Sequence, residues 1–271
     1  MTFAKSLLLT VCLLACGLSG LPARAETAAT TTVAVAPAAT TATPAKSKLP
    51  FNEDQKAAME DFVRNFILDN PEVLIESVNR LRQEENKKKE EGSVKVLKEN
   101  MAFLKSGKHP EAGNKNGDVL VVEFFDYNCG YCKRALKAVQ ELVEKDKNVR
   151  VVFMEFPILS PQSTVASKWA VAANMQGKYW AFHQAVLESN APKDDENLAK
   201  IAKDVGLDVA KLKKDANSKD VETYLASVKD FGQKLQVTGT PAFVVGDQIV
   251  RGYMEYEPFK TIVDDERKKL K

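Results

Sequence analysis

The chain has 271 residues, of which 44% are hydrophobic and 28% charged, so it carries material for a folded core and is neither collagen-like, low-complexity throughout nor wholly disordered. Its formal net charge is +2, and two of its 39 basic residues, Lys5 and Arg24, fall in an N-terminal targeting segment, which leaves the rest balanced against 37 acidic side chains. A neutral mature chain gives no basis for nucleic acid or an acidic membrane surface as a partner.

Lys5 is followed by the apolar run Leu7 to Leu14 and then by Ala23-Arg24-Ala25, the pattern of a signal peptide with an A-x-A cleavage site, so residues 1–25 are expected to be removed on export. The run is shorter than the roughly 20 residues a membrane-spanning helix needs, and no later stretch qualifies. Leu13-Leu14-Ala15-Cys16 offers another reading, a lipoprotein signal that leaves a lipid anchor on Cys16. Cleavage after Ala25 discards Cys12 and Cys16 and leaves Cys129 and Cys132 as the cysteines of the mature protein. Residues 26–50 are Ala, Thr, Pro and Val with almost no charge, a flexible linker that cannot offset its chain entropy by burial.

Residues 51–107 read as an N-terminal helical region. Met59, Phe62, Val63, Phe66 and Ile67 recur at helical spacing, and Asn70-Pro71 reads as an N-cap and first-turn proline of a second helix bearing Val73, Leu74, Val78 and Leu81 on one face. Glu84 to Glu91 reads as a solvated helix face, closed by Gly92. The two apolar faces exceed what a hairpin buries alone, so they need a partner: either the chain's own catalytic domain or a second copy of the chain.

Residues 108–271 read as an α/β domain. Val119 to Phe125 is a buried strand interrupted only by Glu123, Cys129-Gly130-Tyr131-Cys132 follows it, and Ala135, Leu136, Val139 and Leu142 continue as a helix. Val149 to Phe156 completes a βαβ unit, which favours parallel pairing. A helical domain is inserted over about 160–235, after which Ala242 to Val245, a Gly246-Asp247 turn, Ile249 and Val250 restore the sheet, and a last helix runs from about Glu257.

A Cys-x-x-Cys pair closes so short a loop that it stabilises the fold little, so its presence points to chemistry. At a helix N-terminus the free N–H groups and the dipole favour thiolate over thiol, which makes Cys129 the nucleophile and Cys132, one turn deeper, the residue that resolves the mixed disulfide. Lys133 and Arg134 either add to this preference or are simply solvated. A zinc half-site needs two more ligands, and the mature chain offers only His109 and His183, in unrelated segments; both are read as structural or surface residues, and no metal or cofactor is expected. Glu123 is either a proton-transfer partner of Cys132, with its pKa raised by burial, or a solvated edge residue. Pro241 either ends a loop or opens a strand, leaving a neighbouring backbone group free to pair with an extended substrate.

Glu123-Phe124-Phe125-Asp126-Tyr127-Asn128-Cys129-Gly130-Tyr131-Cys132, the long helical insertion and Thr238-Gly239-Thr240-Pro241-Ala242-Phe243 together resemble the DsbA family of periplasmic disulfide oxidoreductases, from about Gly117 to the C-terminus. The resemblance implies a thioredoxin fold with an inserted helical domain, here preceded by the N-terminal helical region, and a redox-active Cys129–Cys132 disulfide. It further implies a cis Pro241 facing the pair, a buried acid at Glu123, and substrate contacts at Thr240, Gly130 and Tyr131. The partners it implies are exported cysteine-containing proteins and a membrane redox protein, either a DsbB-like oxidant or a DsbD-like reductant. The chain departs from the archetype in enclosing Gly130-Tyr131 rather than Pro-His, and in its added N-terminal region. Cys-Gly-Tyr-Cys is also the pair of DsbC-type isomerases, and the added region resembles that of oligomeric ScsC-like members. Without a cation inside the pair, the potential should lie below the roughly −120 mV of the strongest oxidants and nearer the roughly −180 mV of disulfide isomerases. Isomerase as well as oxidase activity is therefore expected, in a homo-oligomer joined through the N-terminal helices. The competing reading is a non-catalytic envelope or holdase-type binding protein on the same scaffold.

Overall fold

A computed structural model describes residues 51–270; the expected signal peptide and linker and the candidate lipid-anchor residue Cys16 lie outside the described residues. The chain divides into two units between Phe62 and Val63, inside the first helix, α1 (Glu53–Asp69). That helix opens on a reciprocal cap in which the Gln55 N–H donates to Asn52 Oδ1 and the Asn52 N–H to Gln55 Oε1. Pro71, expected in the first turn of the second helix, stands instead at the N-cap position of α2 (Glu72–Glu99), and the Asn70 side chain does not cap it. Its amide instead donates to the Phe66 carbonyl, which also accepts the Asn70 N–H, so Asn70 closes the C-terminal end of α1.

The helix α2 also runs straight through Gly92, where a boundary was expected, because a glycine costs a helix only about 1 kcal/mol while the turns beyond it gain burial. Ser93 Oγ donates to the Leu235 carbonyl, and Leu97, with Leu104 of α3 (Met101–Leu104), enters the same apolar cluster as Val122 and Phe124. The last turns of α2 thus belong to the core of the α/β fold.

The sheet has the order β1-β3-β2-β4-β5, from β1 (Glu111–Gly113), β2 (Val119–Phe125), β3 (Val149–Glu155), β4 (Ala242–Val245) and β5 (Gln248–Arg251). β2 and β3 are parallel, joined by α4 (Gly130–Lys145), and the other pairs are antiparallel. The edge strand β1 is too short to leave an alternating signal. Gly113 ends it at φ +80°, where an added Cβ would stand 2.5 Å from the Val149 carbonyl oxygen.

Period-two alternation sorts the strand residues between two cores. Val121, Phe125, Val151 and Phe153 face α4, the inserted helices α5 (Pro161–Met175), α6 (Tyr179–Glu188), α7 (Asp195–Asp204) and α8 (Val209–Ala216), and the final helix α10 (Tyr256–Lys269). Val122, Phe124, Val152 and Met154 face Leu97, Leu104 and α9 (Lys219–Lys234). Glu123 and Glu155 fall in step with the first set, two residues from Val121 and Phe153, so both carboxyls point into the core on which the cysteine helix lies.

Candidate functional site

The pair stands where β2 hands over to α4. Cys129 is the N-cap residue, in extended conformation at φ −83° and ψ 114°, and its sulfur accepts from the Cys132 N–H at 3.4 Å. The Cys129 thiol donates to the Thr240 carbonyl at 3.2 Å. The Thr240–Pro241 bond is cis, and the Pro241 carbonyl accepts from the Gly252 N–H. Cys129 keeps 7% of its surface exposed, whereas Cys132 keeps none. The expected disulfide is not formed here: both cysteines are free thiols. In this state backbone groups already satisfy the Cys129 sulfur as donor and acceptor, so the reduced pair is itself a well-bonded arrangement.

Tyr131 stands 57% exposed within the pair, with the Arg134 guanidinium 5.2 Å from its ring centre. Simple solvation does not describe Lys133, whose ammonium donates to the Glu188 carbonyl at 2.9 Å and to Asn190 Oδ1. It caps the C-terminus of α6 and ties the first turn of the cysteine helix to the inserted domain.

Beneath the pair lies a set of groups that burial drives toward their neutral forms. The Glu123 carboxyl is pushed up to about 8 by desolvation, then by the Cys129 sulfur and Glu155. Burial, followed by Glu123, pushes the Cys132 thiol far upward. Glu155 is likewise pushed up to about 8 by burial, and its Oε1 accepts from the Tyr179 hydroxyl at 2.9 Å and the Tyr127 hydroxyl at 3.3 Å. His183 Nδ1 lies 3.1 Å from the Tyr127 hydroxyl, and burial pushes the ring down to about 3. His109 is also buried, its Nε2 bonding the Phe103 carbonyl and its Nδ1 the Tyr224 hydroxyl. Among the described residues no three His, Cys, Asp or Glu side chains converge as a metal site.

Asp126 escaped the sequence reading. Its carboxylate accepts the Asn128 N–H on Oδ1 at 2.8 Å, and the Ile158 and Leu159 N–H groups on Oδ2 at 2.8 and 3.0 Å. Its carbonyl accepts the Cys129 N–H at 3.0 Å, and its own N–H is directed at the Cys132 sulfur. Asn128 Nδ2 adds bonds to Ser160 Oγ and Ser163 Oγ. The signal available in the sequence was the Asp-x-Asn step just before the pair, a residue choice that suits a side-chain-stabilised turn.

A strand-to-helix turn carrying two thiols, with a cis-proline opposite, on a five-stranded sheet with a helical insertion defines a thiol–disulfide oxidoreductase of thioredoxin-like fold. Residues 120–264, more than half of the chain, match the DSBA-like thioredoxin domain, and the chain belongs to that family. Residues 55–88 match the copper resistance protein ScsC N-terminal domain. A thioredoxin-like oxidoreductase from Silicibacter pomeroyi is 43% identical, with a TM-score of 0.59 over 62% of this chain and 97% of that one. Proteus mirabilis ScsC in a transitional conformation is 25% identical, with a TM-score of 0.60 over 81% of this chain and all of that one. The probable disulfide bond formation protein D of Bacillus cereus is 30% identical over 172 residues, 58% of this chain and 78% of its own. The chain is also 29% identical over 153 residues to the Na(+)/H(+) antiporter NhaA 1 of Salinispora arenicola, of whose length it spans only 24%.

Proposed function

We propose that this chain exchanges disulfides in exported, cysteine-containing proteins of the periplasm, with isomerase as well as oxidase activity. The observation that carries the reading is the contrast between the two sulfurs: Cys129 keeps a small exposed edge and is held between a helix N-terminal N–H and the carbonyl beside the cis-proline, while Cys132 is sealed beneath it. In oxidation, a substrate thiolate attacks Cys129 of the protein disulfide and Cys132 leaves; the second substrate thiolate then attacks the mixed disulfide and Cys129 leaves. The substrate loses two electrons and the pair gains them. Glu123 supplies or takes the proton at Cys132, which its elevated carboxyl can do near neutral pH.

Thr240 and Pro241 align an extended substrate, and Gly130 and Tyr131 form the contact surface between the sulfurs. In isomerisation the reduced Cys129 attacks first and the substrate rearranges on it. A membrane oxidant or reductant, DsbB-like or DsbD-like, resets the pair, and the N-terminal helices join several catalytic domains around one substrate. Reduction of insulin tests the reading. Cys129→Ser should lose activity by about 10³-fold or more, as loss of a nucleophile does, and Cys132→Ser should accumulate a mixed disulfide. Undiminished turnover by Cys129→Ser would leave a binding protein rather than an enzyme.

A further inference from the structure

Asp126 is fully buried, yet its carboxylate binds three backbone N–H groups, two of them from the Ile158-Leu159 loop, while its own backbone meets both cysteines. A carboxylate accepting N–H groups away from water forms bonds roughly twice as strong as neutral ones. Ile158 and Leu159, whose N–H groups it holds, expose apolar side chains on the surface. Asn128 fastens the same turn a second time, to Ser160 and Ser163.

We propose that Asp126 is a positioning residue for thiol–disulfide exchange: its carboxylate clamps the Ile158-Leu159 loop to the turn that carries Cys129, and so fixes how closely the two sulfurs are held for closure. The inference rests on the oxidoreductase function proposed above. When the reduced pair meets glutathione disulfide, Cys129 attacks one sulfur and expels one glutathione; Cys132 then attacks Cys129 and expels the second. Two electrons pass from the pair to glutathione, and the two protons of the protein thiols end on the two glutathiones. The second step depends on the effective concentration of one sulfur at the other, which a clamped turn raises. Asp126→Asn keeps the size but replaces one acceptor oxygen with an NH₂ group facing N–H donors.

The full chain is equilibrated with mixtures of reduced and oxidised glutathione, and the fraction of the Cys129–Cys132 disulfide is measured. In Asp126→Asn the equilibrium constant for the disulfide should fall about tenfold, the order of one charge-assisted hydrogen bond, which raises the potential by about 30 mV. Thermal unfolding of both redox forms gives the second readout: the oxidised form should lose more stability than the reduced form. A merely structural role lowers both alike and leaves the redox constant unchanged. Asn128→Ala removes only the second fastening, should shift the constant about threefold in the same direction, and carries the test if Asp126→Asn does not fold. Shifts under about twofold in every variant that folds overturn the proposal. A wild-type chain that does not exchange with glutathione at all overturns instead the oxidoreductase reading.

Discussion

Along α1 and the first half of α2, Met59, Phe62, Val63, Leu68, Leu74, Ile75 and Leu81 lie on the surface, whereas behind the cysteine pair Glu123, Asp126, Glu155 and His183 are almost wholly buried. Two parts of one chain depart from the usual sorting of side chains in opposite directions. Within the fold Asp126 is met by N–H donors and Glu155 Oε1 by tyrosine hydroxyls, while Glu123 and His183 are shifted toward their neutral forms. On the other side, α1 buries none of its residues and α2 buries only Ser93 and Leu97, so apolar side chains along both helices stay at the surface. Polar groups sealed inside suit chemistry, and apolar groups left outside suit contact with another surface.

The largest expected effect comes from separating the two regions. Because Leu97 and Leu104 belong to the core, a truncation at Gly117 would remove core residues, and the cut that tests the comparison begins at Ser93. The chain from Phe51 should scatter light as a homo-oligomer and unscramble a multi-disulfide protein. The chain from Ser93 should be monomeric, oxidise dithiols as before, and unscramble about tenfold less well or worse, since linked sites act at high effective concentration. Equal monomer masses for both would show that the N-terminal helices do not join copies of the chain.

A smaller effect separates the two kinds of leucine on α2 itself. Leu97 is 2% exposed, and Leu97→Ala should cost about 2–5 kcal/mol of unfolding free energy through lost burial and a cavity. Leu81 is 57% exposed, and Leu81→Ala should change the stability of the folded domain by less than about 0.5 kcal/mol while weakening self-association. Urea unfolding and light scattering on the same samples give both readouts. A large stability loss from Leu81→Ala would show that the face is covered within one chain.

How much of this was legible in the sequence depended on the range of the interaction. The strands, the cysteine helix and the Gly246-Asp247 turn were readable because Val121, Phe125, Leu136 and Leu142 carry a local period. β1 was missed because three residues carry no period, and its pairing partner Val152 lies far along the chain. Gly92 was over-read as punctuation, since nothing nearby tells that Ser93 will bond Leu235. Cys129 and Cys132 were found by their spacing. Glu123 was singled out as the only polar residue in an apolar strand, and its burial could not be read from that alone. Glu155, at the end of its strand, looked like any terminal Glu until Tyr127, Tyr179 and His183 were brought around it. The residues missed are those whose roles are made by partners from other segments.

The smallest effect probes the buried side of the comparison by pH. In the folded chain Glu123 holds its proton up to about 8, against an ordinary value of 4.5 in the unfolded chain. Between those values the folded state binds a proton that the unfolded state has lost, so stability falls as pH rises, by about 1.4 kcal/mol per pH unit for this one group, and levels off above about 8. Glu155, pushed to about 8 by the same burial, adds a slope of the same sign. His183 acts on the other limb: its folded value near 3 lies below the ordinary 6.5, so stability declines as pH falls from 6.5 toward 3. Glu123→Gln removes one titrating group without changing the shape of the side chain. The variant should match the wild type near pH 4.5 and grow more stable relative to it toward pH 8, its curve shallower by that one-proton slope, while Glu155 keeps the remainder. Urea unfolding of both proteins from about pH 5 to pH 8 measures the difference, and parallel curves would mean that Glu123 is not protonated in the folded chain. The same variant should slow the step in which Cys132 leaves or attacks, because the buried carboxyl beside that sulfur can then no longer supply or take its proton. Buried acid and sealed thiol would thus separate stability from activity, the variant gaining the first as it loses the second.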